Sequence, residues 1–225
     1  GFPNFKKQTK RCRPYSDMKA LNEAWQLLLK QKSVTVDAAK LDLIWTGREL
    51  LGNLFGYEKA EFDSAYVAAD TVKMHEKAYI MRALLTDLDM LNAQHPFCTV
   101  DKWIDQAREF GQTPEVKDYY EMNARRLITT WGGDLNDYAV RNYSGLIANY
   151  HAKRWEIYID EAFRSVRTGT PFRDKERIKA TNEFQLSFAD KHGEQFPKYQ
   201  GIELLSFSRA LASKYATELQ SWLTK

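Results

Sequence analysis

"TPEVKDYYEMNARRLITTWGG", residues 113–133, is the stretch whose reading decides the fold class. Thr113 offers a capping hydroxyl. Pro114 is preset for the first helical position, and Glu115 suits the positive end of a helix dipole. Val116, Tyr120, Ala124, Leu127 and Trp131 then recur at helical spacing until Gly132 and Gly133 end the run. On this periodicity Trp131 closes the helix on its buried face.

The same period extends outward in both directions. Upstream, Ser16 or Asp17 starts a helix with Met18, Leu21, Trp25 and Leu28 on one stripe. Asp37 can cap a second run, carrying Leu41, Ile44, Trp45, Leu51 and Phe55 and stopping before Gly56. A longer helix is expected from Glu58 to Asn92, its apolar face running Phe62, Ala65, Tyr66, Ala69, Val72, Tyr79, Ala83 and Leu84. Glu76 falls on that face, which calls for a bend, a buried pair or a break near it. Pro96 makes "NAQHPFCT" a loop. "VDKWIDQAREF" reads as a short helix closed by Gly111 as a left-handed end residue.

Downstream, a helix is expected from Asp134 or Asn136 to about Thr168, ended by Gly169 and Pro171. Two more fit "DKERIKATNEFQLSFADKH" and the last 25 residues. There is no βα alternation and no internal repeat. The expectation is one all-α domain at 16–225, an irregular bundle of about eight helices, after a basic linker or boundary segment at 1–15.

Composition narrows the function. The 225 residues carry 33 basic and 30 acidic groups, a net +3, too balanced to argue for nucleic acid. The one basic cluster, Lys6 to Arg13, reads as a solvated linker. No apolar run approaches the ~18 residues of a membrane span, and no signal pattern opens the chain. Cys12 and Cys98 make neither a disulfide framework nor a zinc motif, and both pairing and free thiols stay open. The four histidines are scattered, so no metal is expected. Gly132-Gly133 resembles an anion cradle, but Asp134 and Asp137 behind it would repel an anion. No triad and no carboxyl pair can be nominated.

What remains is the aromatic and polar content around Trp131. Tyr138, Asn142, Tyr143, Asn149 and Tyr150 follow it and Arg125 precedes it. Amphipathic rings beside amides and hydroxyls suit a polar ligand with apolar faces, such as a sugar. A core tryptophan at a helix corner is the competing reading.

At this segment a family likeness enters. "YYEMNARRLITTWGGDLNDYAVRNYSGLIANYHAKRW" (Tyr119 to Trp155) resembles the C-terminal region of the alpha-N-acetylglucosaminidases. "ALNEAWQLLL", "LLTDLDMLNAQHPF", "WIDQAREF" and the Gly-Thr-Pro-Phe element agree, so the likeness runs from about Arg13 to the end. The chain departs from the family pattern at Gly133 and Lys153, where prolines are common, and by a loop about two residues shorter before Asp137-Tyr138-Ala139.

The resemblance implies a helical C-terminal domain that packs on a (β/α)8 catalytic barrel, with both catalytic glutamates on the barrel and none here. It implies that Trp131, Leu135 and Tyr138 line the pocket for a terminal N-acetylglucosamine, with Arg125, Asp137 and Arg154 in supporting roles. It implies no cofactor and no metal, no activity for these 225 residues alone, and a secreted, periplasmic or lysosomal parent. The alternative is a self-standing helical module that binds a partner through an aromatic patch.

Overall fold

The computed structural model describes residues 17–131, 139–199 and 201–224. Among them are nine α-helices and no strand, so the protein is all-α. Its helices fall into two compact units. One spans Pro96–Lys198; the other comprises the described parts of Asn4–His95 and Tyr199–Lys225.

The second unit is built on α1 (Met18–Leu29), α2 (Asp37–Val67) and α3 (Thr71–Asn92), completed by α8 (Leu204–Lys214) and α9 (Ala216–Leu223). Asp17 caps α1, its carboxylate accepting from the Lys19 and Ala20 amides. Trp25 is fully buried against Gly47 of α2. The long pair α2 and α3 forms a helical hairpin laced by Lys73–Glu61 at 2.9 Å and Lys77–Glu58 at 3.1 Å. Burial raises the Glu58 carboxyl against the pull of Lys77. Tyr215 donates to Asp87 Oδ2 at 2.6 Å, and Arg209 donates to the Leu29 and Gln31 carbonyls at the end of α1.

The break in this region differs from the sequence expectation. The chain runs helical through Gly52 and Gly56 and turns at Ala68–Asp70 instead. Ala69 takes φ +53°, and Asp70 caps α3 by accepting from the Lys73 amide. A glycine inside a helix costs only about 1 kcal/mol, which packing on α3 readily outweighs. The new turn rephases the apolar face. Val72, Tyr79 and Glu76 are exposed, while Met74, Ala78, Met81 and Leu85 are buried. The last expected helix is likewise split, at Tyr215.

The Pro96–Lys198 unit contains α4 (Val100–Arg108), α5 (Pro114–Leu127), a π-helical turn at Ile147–His151 that leads into α6 (Ala152–Thr168), and α7 (Asp174–Ala189). Its core is Val100, Ile104, Ile128, Leu146, Tyr150, Phe188 and Phe196. Cys98 is buried in a 3₁₀ turn at Pro96–Cys98, and Cys12 lies outside the described residues.

Residues 140–145 are not helical, against expectation. An isolated parallel bridge joins Thr99 to Ser144, with Ser144 donating to the Cys98 carbonyl at 2.8 Å and Val100 to the Ser144 carbonyl at 3.0 Å. Gly145 follows at φ +82°. A Cβ there would lie 2.7 Å from Val100 Cγ1, so both its backbone and its packing require glycine. Gly111 is also no left-handed end residue. It is needed because a Cβ would lie 2.6 Å from the Lys117 amide nitrogen.

Candidate functional site

The site region is organised by α5. Thr113 caps it, its hydroxyl accepting from the Val116 amide at 3.4 Å, with Pro114 at the first helical position. The helix ends at Leu127, and residues 128–131 form a turn. Trp131 donates its amide to the Arg126 carbonyl at 2.6 Å and adopts φ +55°. This is the place where helices commonly put a glycine in the left-handed conformation. For a bulky residue the geometry costs about 1 kcal/mol or more.

The buried face of α5 is not the stripe that periodicity suggested. Val116, Tyr120, Leu127 and Trp131 are exposed, Trp131 by 45%. Of that stripe only Ala124 is buried; it is joined by Glu121 and Arg125, with Ile128 just beyond the helix. The reason is an ion network whose centre, Glu121 and Arg125, is buried. Arg125, 0% exposed, donates through Nε and Nη2 to Glu121 Oε1 at 3.0 and 2.8 Å, and through Nη1 to Glu194 Oε2 at 3.0 Å. Its plane is flanked by the rings of Phe188 and Phe196. The other Glu121 oxygen accepts from Arg108 at 2.5 Å and from the Gly193 amide at 3.3 Å. Its hydrogen bond to Asp118, ahead of the one to Glu121, holds the Arg108 guanidinium more firmly charged. Glu121 and Arg125 are thus satisfied by each other and by the partly exposed Arg108 and Glu194, and the helix turns to bury that pair.

That rotation leaves aromatic surface outside. A groove of about 620 Å³ lies between α4 and α5, floored by Ala107 and Ala124 and walled by Trp103, Phe110, Tyr120 and Leu127. The Trp103 indole N–H donates to the Ala124 carbonyl at 2.8 Å, which fixes that ring. Phe110 and Tyr120 lie 6.0 Å apart, centroid to centroid. Sequence reasoning missed this surface because it assigned Tyr120 and Leu127 to the core. The signal available was the Glu121/Arg125 pair at spacing four, which competes for the same inward face.

Of the other residues singled out in sequence, Arg154 is buried on α6 with its guanidinium 4.9 Å from the Tyr150 ring centroid. Tyr150 is itself fully buried and stacked with Phe184, so it faces the core. Asn142 and Tyr143 sit before the helix rather than on it, and Tyr143 packs against the core. Leu135, Asp137 and Tyr138, with Gly132, Gly133, Asp134 and Asn136, lie outside the described residues. Among the described residues no group of three or more His, Cys, Asp or Glu side chains could hold a metal, and no helix is long and apolar enough to cross a membrane.

The end of α6 is also tied by an ion network. Glu161 accepts from Arg164 and from both the backbone and side chain of Arg173, across the turn Gly169–Phe172. Burial would raise its carboxyl, but the hydrogen bonds from Arg164 and Arg173 prevail and lower it to about 2.

The fold has counterparts among known proteins. The chain is 30% identical over 199 residues to human alpha-N-acetylglucosaminidase, a match covering 86% of the chain and 26% of that enzyme. A family 89 glycoside hydrolase from Clostridium perfringens, in complex with 2-acetamido-1,2-dideoxynojirmycin, superposes with a TM-score of 0.80 at 21% identity, over 95% of the chain and 26% of the enzyme. The same hydrolase with PUGNAc gives 0.75 at 22% identity, over 89% and 24%. The chain therefore spans about a quarter of the length of these relatives. The model of the alpha-N-acetylglucosaminidase C-terminal domain matches residues 2–214, and the chain belongs to that family.

Proposed function

We propose that this chain works as the helical, non-catalytic C-terminal part of an alpha-N-acetylglucosaminidase. It packs on a (β/α)8 catalytic barrel and closes one wall of the pocket for a terminal, alpha-linked N-acetylglucosamine. Trp131 supplies an aromatic face to the sugar, with Leu135 and Tyr138 beside it. Arg125, Asp137 and Arg154 hold the surrounding backbone. The carboxyl pair such hydrolysis needs belongs to the barrel, where strand ends gather catalytic groups. No cofactor is required by this reading.

The observation that carries it is Trp131 itself. A large ring is held half exposed on a left-handed backbone at a helix end, where glycine would be the unstrained choice. Strain retained at an exposed aromatic fits a residue kept for contact. In the full-length parent, Trp131→Ala should cut kcat/KM on an aryl alpha-N-acetylglucosaminide ten-fold or more, a loss of ~1.4 kcal/mol or more. Unchanged activity in a variant that melts normally would assign the ring to packing alone.

A further inference from the structure

We propose that the α4–α5 groove is the surface on which the catalytic portion of the parent enzyme docks, through an uncharged, largely apolar face of that portion. The inference rests on the reading above, that the chain works as part of a larger glycosidase.

The first argument is the distribution of charge. A surface helix normally turns its apolar side in and its ions out. α5 departs from this, burying Glu121 and Arg125 and presenting Tyr120 and Leu127. In the groove wall Glu109 is the one charged side chain, and the other polar groups are the amides Gln106 and Asn123 and the Tyr120 hydroxyl. Aromatic enrichment with charge depletion is the composition of an interface centre. The second argument is rigidity. Trp103 is pinned by its bond to the Ala124 carbonyl and Phe110 rests on Tyr120, so little side-chain freedom is lost when the groove is covered. The third is what lies outside the match. About three quarters of each relative has no counterpart in this chain, so a large covalently linked neighbour exists in those proteins. The fourth is position. Tyr120 to Leu127 spans roughly 10 Å along the helix, and Trp131 follows only four residues after the groove's last lining residue.

Amide hydrogen exchange on this chain alone and on the full-length parent tests the proposal. Docking should slow exchange over residues 103–110 and 119–127 at least ten-fold in the parent. In the parent, Leu127→Lys should abolish that protection and lower activity, while leaving the melting temperature of the chain alone unchanged. Equal exchange in both forms, with Trp131→Ala still crippling hydrolysis, overturns the docking surface and leaves the pocket wall standing. Equal exchange with Trp131→Ala silent overturns both. Protection that rises with the concentration of the isolated chain, or that is lost on deleting residues 1–16, gives the groove to a second copy or to the chain's own start, and also overturns the proposal.

Discussion

Trp131 closes α5 by donating its amide to the carbonyl of Arg126, five residues back, at 2.6 Å, with its own φ at +55°. The Arg126 side chain reaches in turn to Asp190 at 2.6 Å, tying the helix end to the residue after α7. The ring is thus placed by backbone geometry, and the two roles of the residue can be separated. Truncation to alanine removes the ring but keeps the left-handed strain; truncation to glycine removes both. Trp131→Gly should therefore be more stable than Trp131→Ala by about 1 kcal/mol in urea unfolding, the reverse of their usual order near a helix. Equal stabilities, or alanine the better, would mean the backbone is not held left-handed in solution.

The buried network makes a second prediction. Arg125 bridges Glu121, Glu194 and the Phe188 carbonyl from a site with no solvent exposure. A lysine ammonium cannot span these acceptors as the planar guanidinium does. Arg125→Lys should cost roughly 3 kcal/mol, because the buried Glu121 carboxylate loses its paired donors. Denaturant midpoints of the variant and parent chain check this, and a loss below about 1 kcal/mol would contradict the network.

How far such features could be read in the sequence depends on what competes for the same face. Period and caps located α1 and the starts of α5 and α7 well, because Asp17, Thr113 and the Gly169–Pro171 turn act locally. The α2–α3 boundary was misplaced because apolar spacing continues unbroken across Ala69, while Gly56 looked like the stop. The decisive signal was Asp70 as a cap for Thr71 onward. In the site, Trp131 is legible as a helix-end residue; periodicity turns it inward, and only the family resemblance points to its exposure. Apolar period alone cannot foresee that an ion pair takes the inward face of α5. The pairing of Arg125 with Glu194 joins residues 69 apart, beyond any local pattern.

Two glycines of α2 should respond in opposite directions. A Cβ on Gly47 would lie 2.9 Å from Trp25 Nε1 and 3.0 Å from its Cε2, and the indole is fully buried. A Cβ on Gly52 would meet nothing within 4 Å. Gly47→Ala should destabilise by about 1–3 kcal/mol through overpacking. Gly52→Ala should stabilise by about 0.5–1 kcal/mol, because alanine loses less backbone entropy in a helix. Thermal melts of both variants decide the matter, and the same sign for both would place Trp25 away from α2.

Glu161 gives the acid-side prediction. Its carboxyl lies at about 2 in the folded protein against an ordinary 4.5, so folding favours its charged form. A lowered carboxylate contributes stability above its unfolded value and loses it as pH falls through the folded one. The contribution should be complete above about pH 4.5, decline between there and pH 2, and amount to ~2 kcal/mol, discounted because Arg173 is half exposed. Glu161→Gln should therefore be destabilised by about that amount at pH 7, with the gap to the parent chain closing as unfolding is measured at pH 4, 3 and 2.5. Glu183, exposed and 3.8 Å from Lys179, is the control. Its glutamine variant should stay within about 0.5 kcal/mol of the parent chain at every pH, as expected of a screened surface pair. A Glu161 gap that persists unchanged at pH 2.5 would mean that the side chain's shape, not its charge, joins α6 to α7.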